Sequence, residues 1–556
     1  MTDATQRKAI RLSGSITCGL ALLLVAVPAS AGDVSPGAVK ETVKPAPAQP
    51  GRPAAGAEVE TQKPAAAAVP AGGPAIQVNR FEIIGNSAIT TDELRQALAG
   101  SEGKKLTLAE IYAVADRLTG LYHQRGYTLA SVTVPAQQVS SGVIKLEVIE
   151  GRLGKVSVTG NRRYRSEVIL DRMDRMTPGA ALTLKDLELD LIEANRLPGL
   201  SARATVKPGD QYGTSDVLVK AEERLFDASV TLDNKGRESL GDWRASARGA
   251  IYNPFNIGDR LDLNVLHAQS GLLEYGGFNY DMPVGPWDTH AGVYYSHYDY
   301  DVDTKELNLA ALTMFGRGTN FGLRFTHPFL RTANQEITGG IGIDRTLTTQ
   351  DGSTGEIDHD ITLMRLSGTW SRQHADNAIS NVAVEFSSNF RHNEETLQFD
   401  GQHHQKGKFR VDAVHLRPLF YSWSMLLRGS GVLSFDPLVD TERFRIGGEG
   451  SVRAFPAAEF AGDQGIAGTI EFRRPLGWIP SVPLQFSTFY DAAIVHQKKT
   501  NPGEHKTESL TGVGVGLSTL LAKRYTIEVQ VAQPTTAHDG FDGRETRLWF
   551  AFGANF

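Results

Sequence analysis

Phe226-Asp227-Ala228-Ser229-Val230-Thr231-Leu232-Asp233 sets apolar or small residues against polar ones at every step. A period of two puts successive side chains on opposite faces of an extended strand, one face apolar and the other polar. The same pattern returns at Leu261/Leu263/Val265, Val382/Val384/Phe386, Trp423/Met425/Leu427, Tyr525/Ile527/Val529/Val531 and Leu548/Phe550/Phe552. A soluble sandwich alternates in this way too, so spacing has to decide. Residues 225–556 number 332, which is just under 21 residues for each of 16 strands. That spacing suits membrane-crossing strands of ~9–11 residues joined by alternately short and long connections. Sixteen or 17 strands can be placed, depending on whether Leu307 to Phe329 is one strand broken at Gly316-Arg317-Gly318 or two. An even number leaves both ends of the barrel on one side, so 16 is expected. Short links are expected at Pro283–Trp287, Arg331–Gln335, Pro475–Pro483 and Ala522–Arg524. Long ones are expected at Thr346–Asp358, His392–Gly407, Phe435–Gln464, Gln497–Glu508 and Pro534–Glu545.

Composition agrees with strands and not helices as the spanning element. Apolar residues are 41 %, charged residues 22 % and mean hydropathy is −0.24. After the leader, no run approaches the ~18 apolar residues a spanning helix needs. Lys+Arg 57 against Asp+Glu 63 gives −6 without a basic block, so no nucleic-acid partner is expected. Arg7, Lys8 and Arg11 precede an apolar run from Ile16 to Val27, and Ala29-Ser30-Ala31 supplies a small-residue cleavage pattern. Residues 1–31 therefore read as an export signal. Cys18, the only cysteine, falls inside it, leaving no disulfide, thiolate metal site or thiol nucleophile.

From Gly32 to Ala75 the chain is rich in Pro and Ala and reads as an extended linker, within which Ala54–Lys63 has room for a short helix at most. Residues 76–151 read as strand, helix, helix, strand, strand. Phe81, Ile83 and Ile84 run into Gly85-Asn86, helices open at Thr91 and after Thr107, and strands follow at Tyr127–Val134 and Val143–Ile149. Residues 152–224 repeat the order about 75 residues on. Gly160-Asn161 takes the place of Gly85-Asn86, helices are expected at Ser166–Met176 and Leu182–Asn195, and strands at Ala202–Lys207 and Asp216–Ala221.

Several motifs bear on chemistry. Gly512-Val513-Gly514-Val515-Gly516 sits in a period-two strand with no helix after it, which points to lumen-facing glycines and not to a phosphate loop. His403-His404 lie in a polar loop without other ligands at metal spacing. No catalytic residue, metal site or cofactor is expected.

The chain resembles the two-partner secretion transporters of the haemolysin-activator and filamentous-haemagglutinin transporter family, within the superfamily of the BamA insertase. The first module carries that family's POTRA (polypeptide-transport-associated) pattern at Phe81, Gly85-Asn86, Leu121-Tyr122, Arg125-Gly126-Tyr127, Pro135-Ala136-Gln137, Gly142 and Glu150-Gly151. The second carries Asn195, Leu197-Pro198-Gly199, Pro208-Gly209 and Asp216. In the longest loop, Gly447-Gly448, Val452-Arg453-Ala454-Phe455 and Gly462-Asp463-Gln464-Gly465 resemble a tip that folds back into the lumen, with Ala454 where glycine is usual. A positive φ there would cost alanine about 1 kcal/mol.

The resemblance implies an all-β transmembrane barrel of 16 antiparallel strands after two α+β POTRA domains, the barrel in the bacterial outer membrane and the POTRA domains in the periplasm. It implies that Arg453 pairs with a lumen acid, for which Asp491 is the candidate. Function follows as secretion of a large haemolysin, haemagglutinin or adhesin-like partner, with an outer-membrane protein assembly factor of the BamA or TamA kind as the alternative. Candidate edges for receiving an extended partner are Leu129, Val132 and Val134 in the first domain and Ala202, Ala204 and Val206 in the second. Further partners expected are outer-membrane lipid and lipopolysaccharide and periplasmic chaperones, with the barrel monomeric. Relatives often plug the pore with an amino-terminal helix. Here the Pro/Ala-rich residues 32–75 hold that place, with room for a short plug helix among them.

Overall fold

Each alternating run forms an antiparallel strand, and sixteen strands close on themselves, from strand 1 (Phe226–Asp233) to strand 16 (Arg547–Asn555). Closure runs from Ser229 opposite Asn555 to Asp233 opposite Ala551, so the sheet keeps no open edge for another chain. Exposed Val230, Leu232, Leu263, Val265, Ile341 and Ile343 lie on the outer face, the lipid side of such a barrel. The computed structural model describes residues 35–43, 59–61, 74–139, 141–285, 288–305, 313–353, 355–392, 407–477, 482–500, 505–536 and 546–556. The expected leader 1–31, His403-His404 and most of Ala54–Lys63 lie outside the described residues.

Over the described part of the ambiguous segment there is one strand: strand 6 (Met314–Arg331) runs unbroken through Gly316-Arg317-Gly318, and 307–312 lie outside the described residues. The two glycines leave room for the rings of Tyr300 and Tyr298 on the neighbouring strand. Thr346–Asp358, expected as a loop, is mostly ladder, because strand 7 (Gln335–Gly352) and strand 8 (Ile357–Gln373) stay paired from Gln335–Arg372 to Gln350–Ile357.

Both amino-terminal modules are α+β. In the first, Thr107 and Glu110 form a capping box that starts the helix Leu108–Gln124. Its Ile111, Ala115, Leu118 and Tyr122 are buried with Phe81, Leu146 and Val148. The second repeats the plan, except that its first helix stops at Leu170 instead of Met176. Beyond that point Arg172 and Arg175 turn away to Asp288 and Asp190.

The turns of the two modules are built alike. Gly85 (φ 88) and Gly160 (φ 85) each approach a backbone carbonyl, Val148 O and Ala221 O, where an added Cβ would sit at 2.5 Å. The following Asn86 and Asn161 each donate to a carbonyl three residues on, Ile89 O and Tyr164 O, at 3.0 and 2.7 Å. Glu150 accepts from the Ala88 N–H at 2.7 Å and from the Tyr122 hydroxyl at 3.1 Å. Glu223 accepts from the Arg162 N–H at 2.8 Å. Burial alone would raise the Glu150 carboxyl, but hydrogen bonds from Ser87, Ala88 and Tyr122 hold it below the usual carboxylate range. The Glu150-Gly151 motif therefore braces a turn.

The second module stands on the end of the barrel where strand 1 begins. Arg163 donates to Pro254 O at 2.8 Å, Arg196 pairs with Glu336 at 2.6 Å, and Arg331 bridges Glu336 and Glu193 at 3.1 and 3.6 Å.

The linker is ordered at two points. A helix forms at Pro36–Thr42, capped by Ser35 with Pro36 in its first turn, and Val59–Thr61 is a strand. The short helix allowed within Ala54–Lys63 is contradicted at those three residues.

Candidate functional site: a lumen closed by a helix and a loop tip

Between strand 11 (Ser424–Ser434) and strand 12 (Gln464–Leu476) the chain makes its long excursion, stiffened by the ribbon Phe444–Ile446 with Phe460–Gly462. The tip lies inside the barrel. Arg453 Nε and Nη2 donate to the two carboxylate oxygens of Asp491, each at 2.9 Å, and its backbone N–H donates to the same group at 3.1 Å. This is the bidentate fork that suits guanidinium and carboxylate.

Three partners were not anticipated from sequence. Nη1 reaches Glu471 at 2.8 Å, the guanidinium carbon stacks 3.4 Å from the Phe489 ring centre, and Trp549 Nε1 donates to the Arg453 carbonyl at 2.7 Å. Thr469 donates to Asp491 at 2.9 Å. Strands 12, 13 (Leu484–His496) and 16 thus grip one residue from three sides. The only advance signal for these partners was parity: each occupies a lumen-facing position of its strand.

Val452, Ala454 and Phe455 are buried with Leu438, Phe444, Phe489, Val495 and Leu510. Ala454 is not among the residues with positive φ; the tip puts that conformation at Ala458 (φ 56). The strain considered for alanine does not arise, and its Cβ fills a space on strand 14 (Thr507–Leu521), where a Cβ on Gly512 would lie 2.5 Å from it. Gly514 likewise makes room for the Phe489 ring. Gly512 and Gly514 form the seat of the loop tip, whereas Gly516 faces Ser487 and Gln530.

The helix Pro36–Thr42 occupies the lumen beside the same loop. Ser35 Oγ and the Gly37 N–H donate to Asp440 at 2.9 and 2.7 Å, and Arg445 donates to Ser35 Oγ at 2.9 Å. Lys40 reaches Glu442 at 3.3 Å. Glu442 also meets Lys408 and, at 3.2 Å, Arg365, which holds Asp344 and Glu385 on the barrel wall. On the opposite side Arg244 donates to Thr42 O at 2.9 Å, and Val39 packs among Leu240, Tyr298 and Tyr300.

Of the proposed strand edges, Ala202, Ala204 and Val206 have their side chains in the core of the second module, so they offer no side-chain surface. Their backbone edge is taken as well. Val59–Thr61 pairs in parallel with Leu200–Pro208, Val59 opposite Ala204 and Thr61 opposite Val206. In the first module the strand is short, Ser131–Thr133, and pairs on one side only among the described residues. Val132 is buried, Val134 packs on the first core, and Leu129 packs instead against the core of the second module.

The family described as "Haemolysin secretion/activation protein ShlB/FhaC/HecB" matches residues 213–519, and the "POTRA domain, ShlB-type" matches residues 76–151. The chain belongs to this family. It is an outer-membrane transporter of the secretion class, with its POTRA domains on the periplasmic side. Among its relatives, the heme/hemopexin transporter protein HuxB of Haemophilus influenzae is 24 % identical over 469 residues, covering 81 % of each chain. The solved structure of CdiB from Escherichia coli superposes with TM-score 0.63 at 20 % identity, covering 93 % of this chain and 95 % of that one. BamA from Haemophilus ducreyi lacking POTRA domains 1–3 superposes with TM-score 0.54 at 16 % identity over 86 % of this chain and 100 % of that one, a likeness of fold alone. The assembly-factor alternative has no support beyond that fold.

Proposed function

We propose that this transporter secretes one large exoprotein, of haemolysin, haemagglutinin or adhesin type, as an extended chain and without catalysis. It acts as a single barrel in phospholipid and lipopolysaccharide, taking its substrate from periplasmic chaperones. The observation that carries the reading is the strand Val59–Thr61 added to the POTRA edge Leu200–Pro208. An edge that takes up three residues of a Pro/Ala-rich linker through its backbone is suited to taking up a partner strand in the same way. The helix at residues 36–42 and the loop tip at Val452–Phe455 then act as plug and lock. The tip is held by ion pairs to the barrel wall and the helix by polar contacts to the loop and to Arg244, contacts that polar substrate and water can exchange.

The test is deletion of the gene. Loss of one large protein from the culture medium with an unchanged outer-membrane profile is expected. A general fall in outer-membrane proteins would point to barrel assembly and overturn the proposal.

A further inference from the structure

We propose that the outer face of the barrel carries a headgroup site for an anionic phospholipid of the periplasmic leaflet, built across strands 8 to 12 by Arg372, Arg417 and Arg474. Strand 9 is Ile379–His392 and strand 10 is Lys408–Pro418. Exposed Leu366, Val384, Val411, Leu433 and Ile470 mark the outward parity of these five strands. The same parity brings Arg372, Ser380, His415, Arg417, Trp423 and Arg474 onto that face at the end where the POTRA domain stands.

Register sets them side by side. Arg372 lies opposite Ser380 and Ser380 opposite His415, while Arg417 lies opposite Met425 and Met425 opposite Phe472. Arg474 lies over Trp423 at 5.7 Å. Outward rim positions on the other strands are neutral, with Phe226, Leu261, Val284, Ile337, Leu521 and Tyr525 among them. The arginines on outward ladder positions therefore gather in one sector, while the turn after strand 14 carries exposed Lys523 and Arg524, the latter over Tyr525 and Phe556 at 5.9 and 4.4 Å.

Within the sector, Arg372 and Arg474 are exposed and have no ion pair or hydrogen bond among the described residues. Arg417 has one, to Asp376 at 3.2 Å, with both side chains about half exposed. Three guanidinium groups against one carboxylate leave a positive excess. His374 Nε2 and His415 Nδ1 each lie 2.9 Å from Ser380 Oγ. The Ser380 hydroxyl thus bridges the two rings, with one donor and two acceptor sites to offer them, and brings polar ring edges to the site. Phe420 and Tyr421, both strongly exposed, cap the hairpin below, as aromatic residues do at headgroup depth.

The occupant has to be anionic to answer the arginines, which bind phosphate oxygens in a fork. It also has to be apolar to continue over Val384, Val411 and Phe472. A phospholipid with a net negative headgroup meets both demands, whereas a free phosphate or an acidic protein meets only the first.

Native mass spectrometry of the full mature chain in a neutral detergent, titrated with phosphatidylglycerol or phosphatidylcholine, tests this. Preferential retention of phosphatidylglycerol is expected, with inorganic phosphate failing to displace it. Affinity should fall roughly fivefold for each arginine removed and about a hundredfold for Arg372→Gln, Arg417→Gln and Arg474→Gln together. A charge-matched set on the POTRA domains, Lys104→Gln, Lys105→Gln and Lys155→Gln, should leave it unchanged. Arg372→Gln and Arg474→Gln, at exposed positions without an ion pair among the described residues, serve singly if the triple variant folds poorly. Equal retention of the two lipids, displacement by inorganic phosphate, or equal losses from the rim and POTRA sets would each overturn the proposal.

Discussion

Replacing Arg453 by alanine puts the loop lock under the most direct strain. The guanidinium makes two side-chain hydrogen bonds to Asp491 and one to Glu471, and stacks on Phe489. Asp491 is fully buried and Glu471 nearly so, so truncation strands two carboxylates. Thr469 and Arg473 remain as partial partners. Removing one member of a buried ion pair costs ~3–5 kcal/mol, which is about two to nearly four decades in the ratio of seated to released tip. The bond from Trp549 to the residue 453 carbonyl survives the change, and burial of Phe455 still contributes ~1.5–3 kcal/mol. The tip should stay mostly seated but open far more often. Ser451, buried beside it, can be replaced by cysteine and labelled with a hydrophilic maleimide, since the chain's one cysteine lies in the expected leader. Labelling should speed at least tenfold with Arg453→Ala. Arg453→Lys should fall between, because an ammonium cannot span both carboxylates in a planar fork. A double-mutant cycle with Asp491→Ala should show coupling of at least ~1 kcal/mol. Labelling at the parental rate in a folded Arg453→Ala barrel, or simple additivity in the cycle, refutes the lock.

Gly37→Leu should expel the helix, since even a Cβ there would stand 2.5 Å from Asp440 O; planar-bilayer current should rise, and an unchanged current counts against a plug. Gly514→Val drives a branched side chain into the Phe489 ring and the Val531 carbonyl, and overpacking of this kind costs ~1–3 kcal/mol or more. A lower temperature for loss of the compact, heat-modifiable form on gels is expected, and parental behaviour would contradict the proposed seat. Because the Glu150 carboxyl is held below its unfolded value, its contribution to stability is complete above the unfolded pKa of ~4.3 and is lost as pH falls through the lower folded value. Hydrogen exchange at residues 86–91 should therefore accelerate only in strong acid, and Glu150→Gln should accelerate it at neutral pH; an acceleration already present at pH 6 in the parent would exclude Glu150 as the cause.

The barrel was legible because each spanning strand divides lipid from water and has to alternate over its whole length. Outside the membrane that demand lapses. The outer ends of strands 7 and 8, Thr346–Gln350 and Ile357–Thr362, present polar side chains on both faces and read as loop although they stay paired. Arg453 with Asp491 was accessible from the tip motif, whereas Glu471, Thr469 and Trp549 are single lumen-facing residues that only barrel closure brings together. The helix Pro36–Thr42 is harder still. Seven residues containing Pro and Gly have almost no helical tendency alone, and what orders them is Asp440, Glu442 and Arg445, some four hundred residues away.

One loop serves both closures. The stretch Asp440–Arg445 holds the helix and Val452–Phe455 holds the wall, with only six residues between them. Glu442 links the two systems, because its partners Arg365 and Lys408 belong to the barrel wall while Lys40 belongs to the helix. Withdrawal of the helix takes a cation from Glu442 and a donor pair from Asp440, while Arg365 and Lys408 stay on Glu442 and Arg445 stays on Asp440. The apolar tip, with Phe455 and its neighbours, does not share those charges and has no reason to release with them. The arrangement therefore predisposes the lumen to open in order, helix first and tip second, with the intervening state held chiefly by Arg453 on Asp491 and Glu471.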